Sequence, residues 1–128
     1  MKVLLDTHAF LWLISGDDRL SETAKKTFLD SGNILFFSAA SLWEICIKMS
    51  LGKLSLNRGW LKTIQDEMHV NTIQWLSIEM PHCVELTTLP FHHRDPFDRM
   101  LVAQAMVDDM QLLSRDYRLS SYEIKRIW

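Results

Sequence analysis

Carboxylates that share a site without neutralising partners repel one another, and a hard divalent cation with oxygen ligands is their natural neutraliser. Four acids of this 128-residue chain are candidates for such a set: Asp6, Glu44, Asp98 and Asp116. Carboxylate oxygens with retained waters suit Mg²⁺ or Mn²⁺, ions that typically act on phosphate esters. Each acid also has an ordinary structural reading. Asp6 caps a helix beginning near Thr7, Glu44 follows Ser41 in a Ser-x-x-Glu capping box, Asp98 faces the positive end of a helix dipole, and Asp116 is a turn residue. For one acid alone the structural reading is the stronger. Capping does not, however, require acids along the single edge beyond the carboxyl ends of the strands, where the following helices also begin and where all four fall.

Basic residues stand close by. Arg94, Arg99, Arg115 and Arg118 flank Asp98 and Asp116, and Lys48 lies one helical turn after Glu44. Two uses are open to them: balancing the acids in ion pairs, or contacting a phosphate backbone. Bulk charge does not decide, because 14 Lys+Arg against 16 Asp+Glu leave a net charge of -2 and no basic excess. Other chemistries are poorly supported. The five histidines and two cysteines form neither H-x-x-x-H nor CxxC, there is no G-x-S-x-G elbow, and the four glycines build no phosphate loop.

The elements that must position the acids follow from the apolar pattern. Lys2 to Leu5, Ile34 to Phe37, Thr72 to Leu76 and Leu112-Leu113 read as strands, with Ile124 to Trp128 as a last edge strand. Between them, helices are expected over Ala9 to Ile14 (buried on more than one face), Ser21 to Leu29, a segment carrying Leu42, Ile45 and Met49 and stopped at Gly52, Asn57 to Met68, and Ile78 to Leu86. The clearest helix start is Asp95-Pro96-Phe97-Asp98: a capping residue, a proline at the first helical position, and an acid in the first turn. Alternating strands and helices predict parallel pairing in a single α/β domain over 1–128, with a functional cleft beyond the carboxyl ends of the strands.

Asp6 interrupts the first apolar run, and no stretch approaches the ~20 apolar residues of a membrane span, so the expectation is a cytoplasmic chain that makes no membrane contact. Cys46 and Cys83 are expected to be small buried hydrophobes. Five tryptophans and seven methionines exceed what a small core requires and suggest a protein interface.

Leu4-Leu5-Asp6-Thr7-His8, Ser38-Ala39-Ala40-Ser41-Leu42-Trp43-Glu44-Ile45 with Lys48 and Gly52-Lys53-Leu54, Leu89-Pro90-Phe91-His92-His93-Arg94-Asp95-Pro96-Phe97-Asp98-Arg99 with Ala103-Gln104-Ala105, and Leu113-Ser114-Arg115-Asp116 resemble, in order, the successive motifs of PIN-domain ribonucleases. The likeness is greatest to the VapC-type toxins of toxin-antitoxin modules, and it spans essentially the whole chain. It implies a three-layer α/β/α fold around a mainly parallel sheet of four to five strands. It also implies a homodimer, one or two Mg²⁺ or Mn²⁺ ions, endonucleolytic cleavage of RNA, and a small antitoxin partner. By position, Asp6, Glu44 and Asp98 match the principal metal-binding acids and Asp116 the more variable fourth. Asp95 is a second-tier candidate at its capping position, and Thr7 and Ser114 would orient ligands by hydrogen bonding. Ser114 stands where threonine is more usual, so the hydroxyl is retained. Two competing readings are a receiver-like Mg²⁺-binding signalling module, which needs paired acids at the first strand and a lysine at the last, and a PIN domain that binds RNA or protein without cutting.

Overall fold

Strands apolar on both faces must be covered on both faces, and the arrangement of this chain follows from that need. The computed structural model describes residues 1–128. Its elements are β1 (Lys2–Leu5), α1 (Thr7–Ser15), α2 (Glu22–Leu29), β2 (Ile34–Ser38), α3 (Ala39–Ser50), α4 (Trp60–Val70), β3 (Gln74–Leu76), α5 (Met80–Leu86), α6 (Pro96–Val107), β4 (Gln111–Leu113), a 3₁₀ turn (Tyr117–Ser121) and β5 (Arg126–Ile127). The five strands form one sheet in the order β3-β2-β1-β4-β5. All four pairings are parallel.

Within β1 the pleat sends Val3 and Leu5 into one core, with Phe10, Ala24, Phe37, Ile45 and Ile64, and Leu4 into the other, with Leu101, Val102, Leu112 and Leu119. The three-layer α/β/α expectation holds. The strand order also separates this fold from receiver-type modules, whose doubly wound sheet runs 2-1-3-4-5. Here the order reverses between β1 and β4, which sets a crevice beyond the carboxyl ends of those two strands.

Several boundaries moved for identifiable reasons. The fourth helix begins at Trp60 rather than Asn57, because Gly59 enters it at φ +84. The helix after β2 is capped by Ser38, whose hydroxyl accepts from the Ala40 N–H at 3.0 Å. Ser41 is therefore inside the helix and the Ser41–Glu44 capping box does not exist. Gly52, at φ +71, turns the chain just past α3. The second half of α1 is less enclosed than expected, with Leu11, Trp12, Leu13 and Ile14 only partly buried. Both cysteines are exposed rather than buried.

Candidate metal centre

The end of β1 delivers Asp6 directly onto the start of α1. Its Oδ1 accepts the Ala9 N–H at 2.7 Å, so it is the helix cap that the sequence suggested, and it is 6 % exposed. Burial pushes its carboxyl up from the usual range, against the opposing hydrogen bonds from Ser114 and Ala9 and the nearby His8. Thr7, one residue on, donates to Glu44 Oε1 at 2.6 Å and lies 3.0 Å from the Ser41 hydroxyl, fixing α1 to α3. Glu44 is buried, and its second oxygen accepts Lys48 Nζ at 2.6 Å across one turn.

Helix α6 starts as its sequence demands. Asp95 Oδ1 accepts from the N–H groups of Phe97 (2.8 Å) and Asp98 (3.0 Å), with Pro96 behind it. That cap points Asp98 into the same cleft as Asp6, Glu44, Asp95 and Asp116, a space of about 560 Å³. The Asp98 carboxylate accepts no hydrogen bond, and its nearest ion-pair partner is His93 Nε2 at 3.2 Å. Burial, then the charges of Asp95, Asp6, Glu44 and Asp116, push its pKa up to about 8.

Asp116 is the opposite case. Arg118 grips it with Nε (3.0 Å), Nη2 (2.8 Å) and its backbone N–H (3.0 Å), and His93 Nε2 adds a contact at 2.8 Å. The guanidinium holds its pKa at about 2. Those four contacts fill the four acceptor positions of a carboxylate. Ser114 is fully buried behind it and accepts the Asp116 N–H at 3.1 Å.

All four acids thus line one cleft, with Asp95 beside them. The basic residues divide. Lys48, Arg115 and Arg118 line the cleft; Arg94 is exposed and is not among the lining residues. Arg99 departs from the expected phosphate contact: it is 6 % exposed, and its guanidinium donates to the carbonyls of Pro90 (2.7 Å) and Leu89 (3.1 Å) and to Tyr122 Oη (3.3 Å). Its cation holds the 89–93 loop against α6. Arg99→Ala is expected to cost about 3 kcal/mol, since it strands the buried Leu89 carbonyl and the part-buried Pro90 carbonyl. Urea unfolding measures this, and an unchanged midpoint would restore the phosphate-contact reading.

Arg19 and His93 are among the cleft residues that the sequence motifs leave without a role. Arg19, held by Asp17 at 2.7 Å, lies 4.9 Å above the Trp12 ring. His93 is the more consequential: its Nε2 and one oxygen each of Asp98 and Asp116 all lie within 4.8 Å of one another. The signal available was its place two residues before a helix cap.

A divalent cation fits these residues. Asp98 is a largely buried carboxylate without a hydrogen bond and surrounded by acids, an arrangement that proton uptake or a cation relieves. Asp6 and Glu44 line the same cleft and keep acceptor capacity, since each oxygen of Glu44 has one donor.

Solved structures share the architecture. VapBC2 from Rickettsia felis, a complex bound to a DNA fragment of its promoter, contains a chain that matches with a TM-score of 0.74 at 12 % identity, over 98 % of this chain and 97 % of that one. VapBC-1 from nontypeable Haemophilus influenzae gives 0.65 at 16 % identity, over 98 % and 96 %. A toxin-antitoxin complex from Klebsiella pneumoniae gives 0.55 at 17 % identity, over 89 % and 86 %. At these identities the likeness establishes the fold. No curated protein matches the sequence. The PIN domain model matches residues 3–125, nearly the whole chain, and with the acids and sheet order described above it places this chain in the PIN domain family.

Proposed function

We propose that this PIN domain is a divalent-metal-dependent endoribonuclease and the toxin member of a toxin-antitoxin pair. The observation that carries the reading is the convergence of Asp6, Glu44, Asp98 and Asp116 on one cleft, with Asp98 lacking any hydrogen-bond donor. Asp6 and Asp98 are the direct ligands of a Mg²⁺ or Mn²⁺ ion, and Glu44 supplies a further oxygen. When bound, the ion lowers the pKa of water and offsets charge on a phosphodiester. The remaining work falls to the chain. Thr7 and Lys48 hold the two Glu44 oxygens in place, and Arg118 keeps Asp116 ionised. Arg115 and Arg19, both lining the cleft, meet the phosphate backbone, and the exposed Arg94 extends that contact outside it.

An apolar groove lined by Leu11, Trp12, Ile14, Leu54, Trp60 and Ile64 shares His8, Trp12 and Arg19 with the acid cleft. It supports an antitoxin segment laid beside the acids. Exposed Trp43 on α3 and Met80 and Val84 on α5 support a homodimer face. No helix is long and apolar enough to cross a membrane, and the reading places the protein in the cytoplasm.

The test is cleavage of RNA by nuclease-free preparations with Mg²⁺ or Mn²⁺ and with a chelator. Cleavage is expected to stop on chelation and to fall at least ~100-fold in Asp6→Asn, whose amide oxygen still caps α1. Equal activity in Asp6→Asn would refute the assignment. RNA binding without cleavage under any divalent ion would favour the non-cutting reading.

A further inference from the structure

The three-member cluster of His93, Asp98 and Asp116 looks at first like a cation site with one nitrogen and two oxygen ligands. Its hydrogen bonds indicate otherwise. The Asp95 backbone N–H points at His93 Nδ1 at 3.0 Å, so Nδ1 is an acceptor and carries no proton. A neutral imidazole with Nδ1 accepting has its proton on Nε2. That N–H faces Asp116 Oδ2 at 2.8 Å, with Asp98 Oδ2 at 3.2 Å. A protonated nitrogen has no lone pair to offer a metal ion. Ligation through Nε2 would require the proton to move to Nδ1, where it would confront the Asp95 N–H donor.

The ring is also held from behind. His93 is 6 % exposed, its own backbone N–H donates to Tyr122 Oη at 2.9 Å, and the same hydroxyl receives Arg99. Asp95 therefore acts twice: its carboxylate caps α6 and orients the turn that carries Asp98, and its N–H selects the tautomer of His93. One residue ties the direction of Asp98 to the state of the ring beside it.

We propose that His93 is a positioning residue, a hydrogen-bond donor to Asp116 that stands between Asp116 and Asp98 and sets their spacing beside the cation, and not a ligand of that cation. The inference rests on the metal-dependent reading given above and adds a residue to it. His93 bonds Asp116 and stands beside Asp98, the pair that would otherwise face each other charge to charge. Asp98 is left with both oxygens free of strong donors, and Asp116 is filled.

Two substitutions separate the functions of the ring. His93→Asn keeps an acceptor near Nδ1 for the Asp95 N–H but loses the Nε2 donor. His93→Gln places an amide N–H near Nε2 and loses the Nδ1 acceptor. The readouts are Mn²⁺ affinity, from the paramagnetic resonance signal of free Mn²⁺, and the imidazole ¹⁵N shifts of the intact chain with and without Mg²⁺. Expected are an Nε2–H tautomer in both states, Mn²⁺ affinity within about threefold of the parent for His93→Gln, and a 10–100-fold loss for His93→Asn. A shift of the proton to Nδ1 on adding Mg²⁺, or equal losses in the two variants, would make His93 a ligand and overturn the proposal. Parent-like affinity in His93→Asn would overturn it as well. A parent chain that binds no Mn²⁺ while keeping Nε2–H would instead remove the metal-dependent reading, and with it the positioning role.

Discussion

Asp98→Asn is expected to make the metal-free chain more stable at pH 8 while removing cation-dependent hydrolysis. The carboxyl of Asp98 has its pKa raised from 3.8 to about 8 by burial and by four neighbouring acids. A raised acid pKa means that the folded state holds a proton more tightly than the unfolded chain. Stability from this group is full below pH 3.8 and is lost as pH rises toward 8. At ~1.4 kcal/mol per unit, the interval sets a ceiling on the order of 6 kcal/mol of strain in the ionised, metal-free site. The amide has the shape of the carboxylate without its charge, so part of that strain disappears. Recovery of even 1 kcal/mol would raise Tm by roughly 4 °C. On the proposed reading the same change removes a ligand whose charge the cation needs, so turnover is expected to fall at least ~100-fold. Thermal melts in chelator at pH 8, run beside RNA cleavage assays, check both halves. A lower Tm in chelator would mean that Asp98 is stabilised by a partner the geometry does not contain, and would remove the argument that the site is built for a cation.

Some residues of the site are legible in the sequence and others are not, according to whether local pattern or three-dimensional packing decides their place. Asp6, Asp98 and Asp116 follow elements whose apolar runs or capping residues are visible locally, and a parallel sheet sends strand exits to one edge. Topology alone brings Asp6 and Asp116 together; Asp98, at the start of a helix that follows α5 rather than a strand, reaches the same edge through the α5–α6 connection. Glu44 lies in the cleft although its ordinary reading as part of a Ser41 capping box fails: Ser38 and Ser41 are both competent caps, and β2 runs on to Ser38, which takes the cap. His92 and His93 are indistinguishable as a dipeptide. Packing separates them, with His92 exposed edge-on to Tyr122 and His93 inside the cleft wall. From sequence, Arg99 reads as a surface cation because it neighbours Asp98. Its burial is decided by two unpaired carbonyls of the 89–90 segment that approach it only in three dimensions. The weakest signal was at the carboxyl end. A two-residue strand reached through a 3₁₀ turn leaves little pattern, yet Ile127 accepts the Ser114 N–H at 3.1 Å and so anchors the β4 exit that carries Asp116.

Added Mg²⁺ or Mn²⁺ is expected to raise the melting temperature, and to do so more at pH 8 than at pH 5. A ligand bound only by the folded state at a hundredfold excess over its Kd contributes about 2.7 kcal/mol. Protons compete for the same oxygens, so below the Asp98 pKa of about 8 each unit of pH weakens apparent binding at that carboxylate about tenfold. Asp6, also raised by burial, acts in the same direction. Asp116 does not offset this trend. Its lowered pKa of about 2 gives stability that is present above the unfolded value and lost only as pH falls from 3.8 toward 2, outside the window. Without cation, stability should therefore decline from pH 5 to pH 8; with saturating cation the decline should flatten or reverse. Melts at fixed ionic strength, comparing Mn²⁺ with a monovalent salt control, resolve the two curves. An equal cation effect at both pH values would show that the ion binds elsewhere than on the protonatable carboxylates of this cleft.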